Sequence, residues 1–527
     1  MTATSQNELF ATYDLLLKQS GRKFLWFEQG MLTGNGVFIT ELLSDLGLAD
    51  LANSGLRAID SANSGLKTTD FYRVEIQPRS MQSYHTLDQH ITFGLLRLIN
   101  YRWNNQQLRQ DELTQLQWAI ENSEFNSQTK AMLSPNHRQV VMLRKMIKRY
   151  RQISQKPWPK ISLSTKPSKD HSISDFYKLR EALMLLGDLS TDYHSNDDKH
   201  LDAAAIKAIK KFQQRHGLAA DGRVGPKTIA ALQITPAQRM QQLQVNLWRW
   251  LKLPSTPPKD YLLVNIPRFE LKLYEENELS LKMRVIVGDL DNKTPEIFST
   301  INGITLNPTW SPPPKIIKND LLPQYQQDYM ALSRKNFRLV QGYWQYKNVK
   351  EIDRPEMDIL SWLKTHRLVQ APGKTNPLGA FRFNIPNDHA VYLHDTPAKH
   401  LFTQAERALS HGCIRLEAPQ KLASYLLARA SKLTSKKLPE LVQTGKTKTF
   451  NIDQPISVFI AYYTAWVNER EELIFSDDIY QLDNILPFIE NSFIYSLRSN
   501  NKDGFVNTAE QENKQLEEDI ETVRSDN

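Results

Sequence analysis

The sequence predicts an α+β chain of several domains: a helical N-terminal scaffold, a three-helix domain, and a mostly β domain with a lid-like insertion. Three observations predict this. The chain has 527 residues, too many for one small core and enough for two to four domains. Up to about residue 250, apolar residues recur at three- and four-residue intervals, as on helices. After residue 259 the period shortens to two, and β-branched and aromatic residues dominate.

Taken in order, residues 1–153 read as a helical N-terminal scaffold, with segments such as "VFITELLSDLGLADL" and "LDQHITFGLLRLINYRW". Residues 154–173, "SQKPWPKISLSTKPSKDHSI", are rich in Pro, Ser and Lys without apolar period, which predicts a linker. Three amphipathic helices fit residues 174–236. The second ends near His216-Gly217, and the third opens at Pro226 after "DGRVG". Lys207, Lys210, Lys211 and Arg215 recur at helical spacing there, as on a solvated face. Residues 237–258 read as a connecting helix and linker starting from a Thr-Pro cap.

The stretches "YLLVNIPRFELKLYE", "LSLKMRVIVG", "FSTINGITLNP", "AFRFNI" and "AVYLHD" predict the strands of a β domain over 259–450. A polar, Pro-containing and partly helical insertion interrupts it over 312–370, with Trp310 at its base. "ISVFIAYYTAWVN" reads as further strand within a C-terminal segment, 451–484. Residues 485–527 are acidic and poor in apolar residues, which predicts a disordered tail.

Composition narrows the function. The hydrophobic fraction of 40% and charged fraction of 24% suit folded domains. A net charge of +8 is spread over 66 basic and 58 acidic residues with no long Lys/Arg run, which disfavours nucleic acid as a partner. No apolar run approaches the roughly 18 residues of a membrane helix, and the N-terminus lacks a basic-then-apolar export signal. One cysteine, Cys413, makes neither an intramolecular disulfide nor a Cys-rich zinc site.

That cysteine stands in "SHGCIRL". Ser410, His411 and Gly412 are polar or small, and Arg415 adds positive charge that favours thiolate if its side chain approaches. A thiol needs a base to act as nucleophile near neutral pH. His411 is too close in sequence for a good in-line pair, whereas His394, nineteen positions before Cys413, ends a strand in "VYLHDTP" and is the favoured base. Tyr392, on the same strand face as His394, is a candidate donor to an oxyanion or else a packed aromatic.

"HDTP…SHGCIRL" resembles the signature of the L,D-transpeptidase (YkuD-type) catalytic domain. By that resemblance Cys413 is the nucleophile and His394 its general base, and the backbone N–H groups around Gly412 and Cys413 help to stabilise the oxyanion. The family's histidine is often followed by Gly or Ser. Asp395 stands there in this chain, so the orienting element is either a backbone carbonyl or the Asp395 side chain. Residues 174–236 resemble a peptidoglycan-binding domain through "FQQRHGLAADGRVGPKTIAAL". The order of parts is similar to the large periplasmic L,D-transpeptidases of Gram-negative bacteria, the YcbB group, whose capping subdomain the insertion resembles.

The resemblance implies a two-step acyl transfer. Cys413 attacks the third residue of a tetrapeptide stem, D-Ala leaves, and a diaminopimelate amine takes the acyl group to give a 3-3 cross-link. It implies no metal or organic cofactor, stem peptides and glycan as partners with cell-wall synthases as further candidates, and acylation of Cys413 by carbapenems. A lid would shield the thioester from water; Trp310 is a candidate lid or substrate contact. Arg415 either orients the donor carboxylate or, the favoured reading, holds the catalytic loop. Alternatives are a hydrolase acting on the same bonds, a zinc peptidase using His394, Asp395, His411 and Cys413, and a non-catalytic wall-binding protein. A wall enzyme works in the periplasm, so the expectation is that the sequence is a mature or truncated form.

Overall fold

The computed structural model describes residues 3–48, 81–104, 108–161, 173–194, 200–254, 258–341, 347–352, 358–429 and 437–484. The chain divides after Pro135, with one unit within Met1–Pro135 and the other within Asn136–Ile485. The tail predicted to be disordered, 485–527, lies outside the described residues, as do the central residues of the predicted linker, 162–172.

The first unit holds helices α1 (Ala3–Ser20), α2 (Gly34–Asp45), α3 (Met81–Asn104), α4 (Gln110–Asn122) and α5 (Ser127–Leu133), with a small hairpin of β1 (Phe27–Glu28) and β2 (Met31–Leu32). Asp88 of α3 is fully buried. It accepts the backbone N–H groups of Leu25 and Trp26 at 3.0 and 2.8 Å and the Tyr13 hydroxyl at 2.8 Å. Those bonds satisfy a buried carboxylate that would otherwise be costly.

The second unit begins with α6 (Arg138–Ser154), which the sequence reading assigned to the N-terminal scaffold. Its apolar stripe, Val140, Leu143, Ile147 and Tyr150, is buried, and its Gln139 exchanges two bonds with the Val467 backbone, Nε2 donating at 2.6 Å and Oε1 accepting at 2.9 Å. Long-range packing, invisible in local periodicity, moves the boundary to Pro135. Helices α7 (Ile173–Leu186), α8 (Ala203–Arg215) and α9 (Pro226–Gln233) share one apolar core. Part of the predicted linker joins it: Ile161 is buried there and Trp158 donates to the Leu232 carbonyl at 3.0 Å. Lys207, Lys210 and Lys211 are exposed as expected, but Arg215 is not. It is buried, ion-paired with Asp188 and donating to the Leu473 carbonyl at 2.9 Å.

Helix α10 (Pro236–Trp250) starts at a capping box formed by Thr235 and Gln238. It is no mere connector, since Leu243, Val245, Leu247, Trp248 and Trp250 are all buried. Asn246 and Arg249 tie it to Thr464 and Asp483.

Strands β3 (Tyr261–Asn265), β4 (Glu270–Glu275), β5 (Glu278–Gly288) and β6 (Ile297–Leu306) begin the β domain. The insertion follows. It comprises α11 (Pro314–Ile316), a π-helical turn (Ile317–Leu321), α12 (Leu322–Gln327), α13 (Ala331–Arg334), β7 (Phe337–Gln341), β8 (Lys347–Glu351), α14 (Ile359–Trp362) and β9 (Arg367–Gln370). Beyond the helices expected, it carries a three-stranded sheet ordered β8-β7-β9 and a core of its own around Leu321, Leu332, Phe337 and Leu368.

The chain returns with β10 (Phe381–Asn384), β11 (Leu393–His394), β12 (Ala408–Ser410), β13 (Ile414–Leu416), α15 (Pro419–Arg429), α16 (Lys437–Gln443) and β14 (Lys448–Ala461), then a hairpin of β15 (Ala465–Val467) and β16 (Leu473–Phe475). The predicted break at 450 does not exist. Strand β14 runs through it and sits between β6 and β3, antiparallel to one and parallel to the other. The strand predicted near 456–468 stops at Ala461 and resumes at Ala465.

The nine-stranded sheet runs β12-β5-β13-β11-β10-β6-β14-β3-β4, and a further β4–β5 pairing closes it into a barrel. Closure removes exposed edges. Leu262, Leu271, Val285, Ile304, Phe383, Leu393, Ile414 and Val458 face one core with the apolar side of α15. By alternation, their neighbours Tyr392, His394, Cys413 and Arg415 face outward.

Candidate active site

The parallel pairing of β11 with β13 builds the site. Leu393 lies opposite Ile414 and His394 opposite Arg415, so Tyr392 and Cys413 fall level, one residue earlier on each strand. The antiparallel β10 adds Arg382 opposite His394. Six positions therefore make two rows on the outer face: Asn384, Tyr392 and Cys413, then Arg382, His394 and Arg415. Two stretches nineteen positions apart in sequence become neighbours only through this register.

Cys413 is free and half-buried, with Sγ 4.0 Å from the Ala390 carbonyl. Burial raises its pKa, against lowering contributions from the Tyr392 backbone and hydroxyl and from Arg415. The Tyr392 ring meets the His394 ring edge-on with centroids 5.7 Å apart, and burial, followed by the charge of the nearby thiolate, raises the Tyr392 pKa. Trp310 anchors the insertion through paired backbone bonds with Gln370, 3.0 and 2.7 Å long.

His394 is buried, and burial followed by the charge of Arg415 pushes its pKa down to about 4. Its Nδ1 lies 2.5 Å from the Asp395 backbone carbonyl. With Nδ1–H donating there, Nε2 keeps its lone pair for a proton. The carbonyl is therefore the orienting group. The Asp395 carboxylate points elsewhere, accepting the Ala380 N–H at 2.8 Å and pairing with Lys399 at 2.7 Å. Among the described residues no direct bond joins His394 to Cys413; they sit diagonally on adjacent strands. Catalytic bonds are commonly loose without substrate and tighten when it binds.

The loop before the thiol is locked from three sides. The Ser410 hydroxyl donates to the Cys413 carbonyl at 2.6 Å and accepts the Gly412 N–H at 3.2 Å. Gly412 takes φ 105°, a conformation that excludes side chains in practice. Thr294 donates to the Gly412 carbonyl at 2.8 Å while accepting the Gly288 N–H at 2.8 Å, and the Tyr480 hydroxyl donates to the Gly288 carbonyl at 2.5 Å. The Gly412 N–H is therefore spent on the loop. The Cys413 N–H, with no partner among the described residues, is the donor left for an oxyanion.

Two further residues depart from expectation. His411 turns away from the thiol toward Asp320 on the π-helical turn, 3.4 Å away, and Lys315 beside that turn donates to Asn292 Oδ1 at 2.6 Å. The insertion thus touches the catalytic loop, and π turns often mark functional segments. Arg415 holds no loop group: its Nε is buried without a hydrogen bond, and among the described residues it pairs with no carboxylate. The loop support expected of it has no hydrogen bond to carry it among the described residues. His394, Asp395, His411 and Cys413 point to separate partners and do not converge as zinc ligands; among the described residues no three His, Cys, Asp or Glu gather that could hold a metal ion.

Thr294, Asn292, Asp320 and Tyr480 were missed by sequence reading. Each is an ordinary polar residue far from the motif, and only its contact with the loop or lid marks it.

Residues 259–447 match the family described as the YkuD L,D-transpeptidase catalytic domain. The chain carries an L,D-transpeptidase catalytic domain. Residues 173–232 match a second family, described as "Putative peptidoglycan binding domain". A Haemophilus influenzae protein named "Putative L,D-transpeptidase" is 34% identical over 250 residues, 47% of this chain and 50% of that protein. The chain thus spans about half the length of the curated relative it matches. An L,D-transpeptidase structure from Mycobacterium smegmatis covers 38% of this chain and 59% of its own at 15% identity, TM-score 0.20. One from Stackebrandtia nassauensis covers 57% and 96% at 16% identity, TM-score 0.20. The assignment of the L,D-transpeptidase domain rests on the matched residues, not on those two structures.

Proposed function

We propose that this protein is an L,D-transpeptidase that makes 3-3 cross-links in peptidoglycan. The observation carrying the proposal is the outer-face cluster of Cys413, Tyr392, His394 and unpaired Arg415 within the matched catalytic domain.

Both the thiol and the imidazole are neutral near pH 7, so proton transfer accompanies attack. Substrate brings Cys413 and His394 into line. The sulfur bonds to the carbonyl carbon of the third stem residue as its proton passes to His394 Nε2. The Cys413 N–H and the Tyr392 hydroxyl donate to the developing oxyanion. Collapse breaks the C–N bond to D-Ala, whose amine leaves with the proton from His394, and a thioester stays on Cys413. A diaminopimelate amine of a second stem then attacks. His394 takes a proton from that amine and returns one to the departing thiolate. Arg415, with unused donors beside the thiol, holds a stem carboxylate. The lid, tied to the loop by Asp320–His411 and Lys315–Asn292, limits access of water to the thioester.

Residues 173–232 would hold the enzyme on the polymer, and the substrate places its work outside the cytoplasmic membrane. Among the described residues no helix is long and apolar enough to cross a membrane. The test is muropeptide analysis of sacculi treated with purified protein. Wild type should release D-Ala and add 3-3 linked dimers, and Cys413→Ala should do neither. Equal product profiles for the two proteins would refute the proposal. Loss of cross-links, with tripeptides appearing instead, would make it a hydrolase.

A further inference from the structure

Round the barrel from the thiol, across β5, the outer face of β3 and β4 borders a cavity of about 720 Å³. That volume lies within the ~300–1,000 Å³ of sites for small organic ligands. Its walls belong to the second unit alone: β3 and β4, the start of α6, the end of α10, and the segment after β14. None of the residues given a role in acyl transfer lines it.

Five aromatic side chains line this cavity: Trp250, Tyr261, Tyr274, Tyr463 and Trp466. Tyr261 and Tyr274, level on β3 and β4, stack with centroids 4.8 Å apart and are partly exposed, whereas Trp250, Tyr463 and Trp466 are buried behind them. Close packing of α6 and α10 on the barrel alone would leave no void of this size. Polar groups sit among the rings instead. Glu469 accepts the Lys272 ammonium at 2.8 Å and the Tyr274 hydroxyl at 3.1 Å through one oxygen, Oε1, and its side chain is 47% exposed.

Charge decides the class of ligand. Lys272 is paired with Glu469, Glu270 with Lys282 at 2.6 Å, and Lys259 with Glu276 at 2.8 Å. Arg138 and Glu278, which also line the cavity, add one cation and one anion, so the three cations and three anions of the lining sum to zero and favour neither an anionic nor a cationic ligand. What is offered is the accessible part of the Tyr261–Tyr274 pair beside planar hydrogen-bonding groups. A pyranose ring matches this, because one face presents C–H groups to the negative face of an aromatic ring while its hydroxyls reach carboxylate and amide at the edge.

We infer that this cleft is a binding site for an uncharged oligosaccharide, separate from both the reacting centre and the three-helix domain. The inference goes beyond the proposed transpeptidation; it rests on that reading only in taking the glycan strand of the same polymer as the natural ligand. Binding there would hold a glycan strand against the barrel while its stem peptide reaches Cys413.

The full chain carrying Cys413→Ala should be titrated calorimetrically with a soluble β-1,4-linked N-acetylglucosamine tetramer, alone and with Tyr274→Ala or Glu469→Gln added. Thermal melts check folding, and Glu469→Gln preserves shape. The site predicts saturable binding weakened at least tenfold by either change. No saturation at millimolar sugar, or the same isotherm in all three proteins, overturns it. In the Cys413 background, turnover of a sugar-free tetrapeptide by Tyr274→Ala and Glu469→Gln should equal wild type. If it fell with sugar binding intact, the cleft would belong to the reaction and not to glycan capture. A Cys413→Ala protein that still cross-linked would refute the transpeptidase reading and leave the sugar result standing.

Discussion

Two patches on the outside of one barrel treat charged and ionisable groups in opposite ways. Around Tyr261 and Tyr274, the charges nearest the rings are paired: Lys272 with Glu469, Glu270 with Lys282. Around Cys413, Arg415 Nε is buried without a bond, the thiol is raised by burial, and His394 is held neutral. An unsatisfied buried donor costs stability, about 1–3 kcal/mol. A fold retains such groups where a substrate will complete them, whereas a paired surface is already at rest. The lesson is that reactive and merely receptive faces can be told apart by what is left unpaired.

The largest effect should come from the reactive patch. Cys413→Ala removes the acyl acceptor and should abolish D-Ala release, measured by product chromatography, with the melting temperature little changed. Carbapenem adducts seen by intact-protein mass spectrometry should vanish in the same variant. His394→Gln should lower kcat/KM by about 10²–10⁴-fold, the usual worth of a positioned base. If it falls less, the diagonal placement of His394 does not tighten with substrate.

Arg415→Met should act next. Loss of a residue that holds a stem carboxylate raises KM, while loss of one that supports the loop lowers thermal stability; steady-state kinetics with a melt separates them. No change in KM would end the carboxylate role.

The depressed imidazole makes a pH prediction whose sign is fixed. The base must be neutral, and its folded pKa is about 4, so the acid limb of kcat/KM should lie near that value and not near 6.5, the ordinary imidazole pKa. Because an unfolded chain would bind that proton first, stability should also fall as pH drops from 6.5 toward 4. His394→Gln should flatten this slope.

The smallest effect belongs to support of the loop. Thr294→Val strips one bond from the Gly412 carbonyl and one from the buried Gly288 N–H, costing about 1–3 kcal/mol of stability. Its kcat should fall modestly. In contrast, Glu469→Gln on the paired patch should leave sugar-free turnover untouched.

What could be read in advance follows a physical division. Helices α8 and α9 were legible because caps and apolar period are local: Pro226 opens one, Gly217 follows the other. Helix α6 was misassigned because its period is as helical in one unit as in the other, and only Gln139 bonding Val467 decides. Arg215 reads as part of a solvated face until Asp188, 27 positions earlier in the chain, pairs with it in the interior. The boundary expected at 450 falls inside β14, whose pairing with β6 and β3, strands distant in the chain, no local pattern shows.

By itself the sequence determined the chemistry available: one thiol behind Ser-His-Gly, a histidine nineteen positions earlier, and the alternation that puts Tyr392 with His394. It determined these because nucleophile, turn and strand period are properties of short stretches. The tertiary structure decided which groups share the thiol's surroundings. Strand register set Tyr392 level with Cys413 and His394 beside Arg415, the Asp395 carbonyl took the ring nitrogen, and Asp320 drew His411 away. Register, closure and the choice among competing hydrogen-bond partners depend on residues distant in the chain, and no local pattern encodes them.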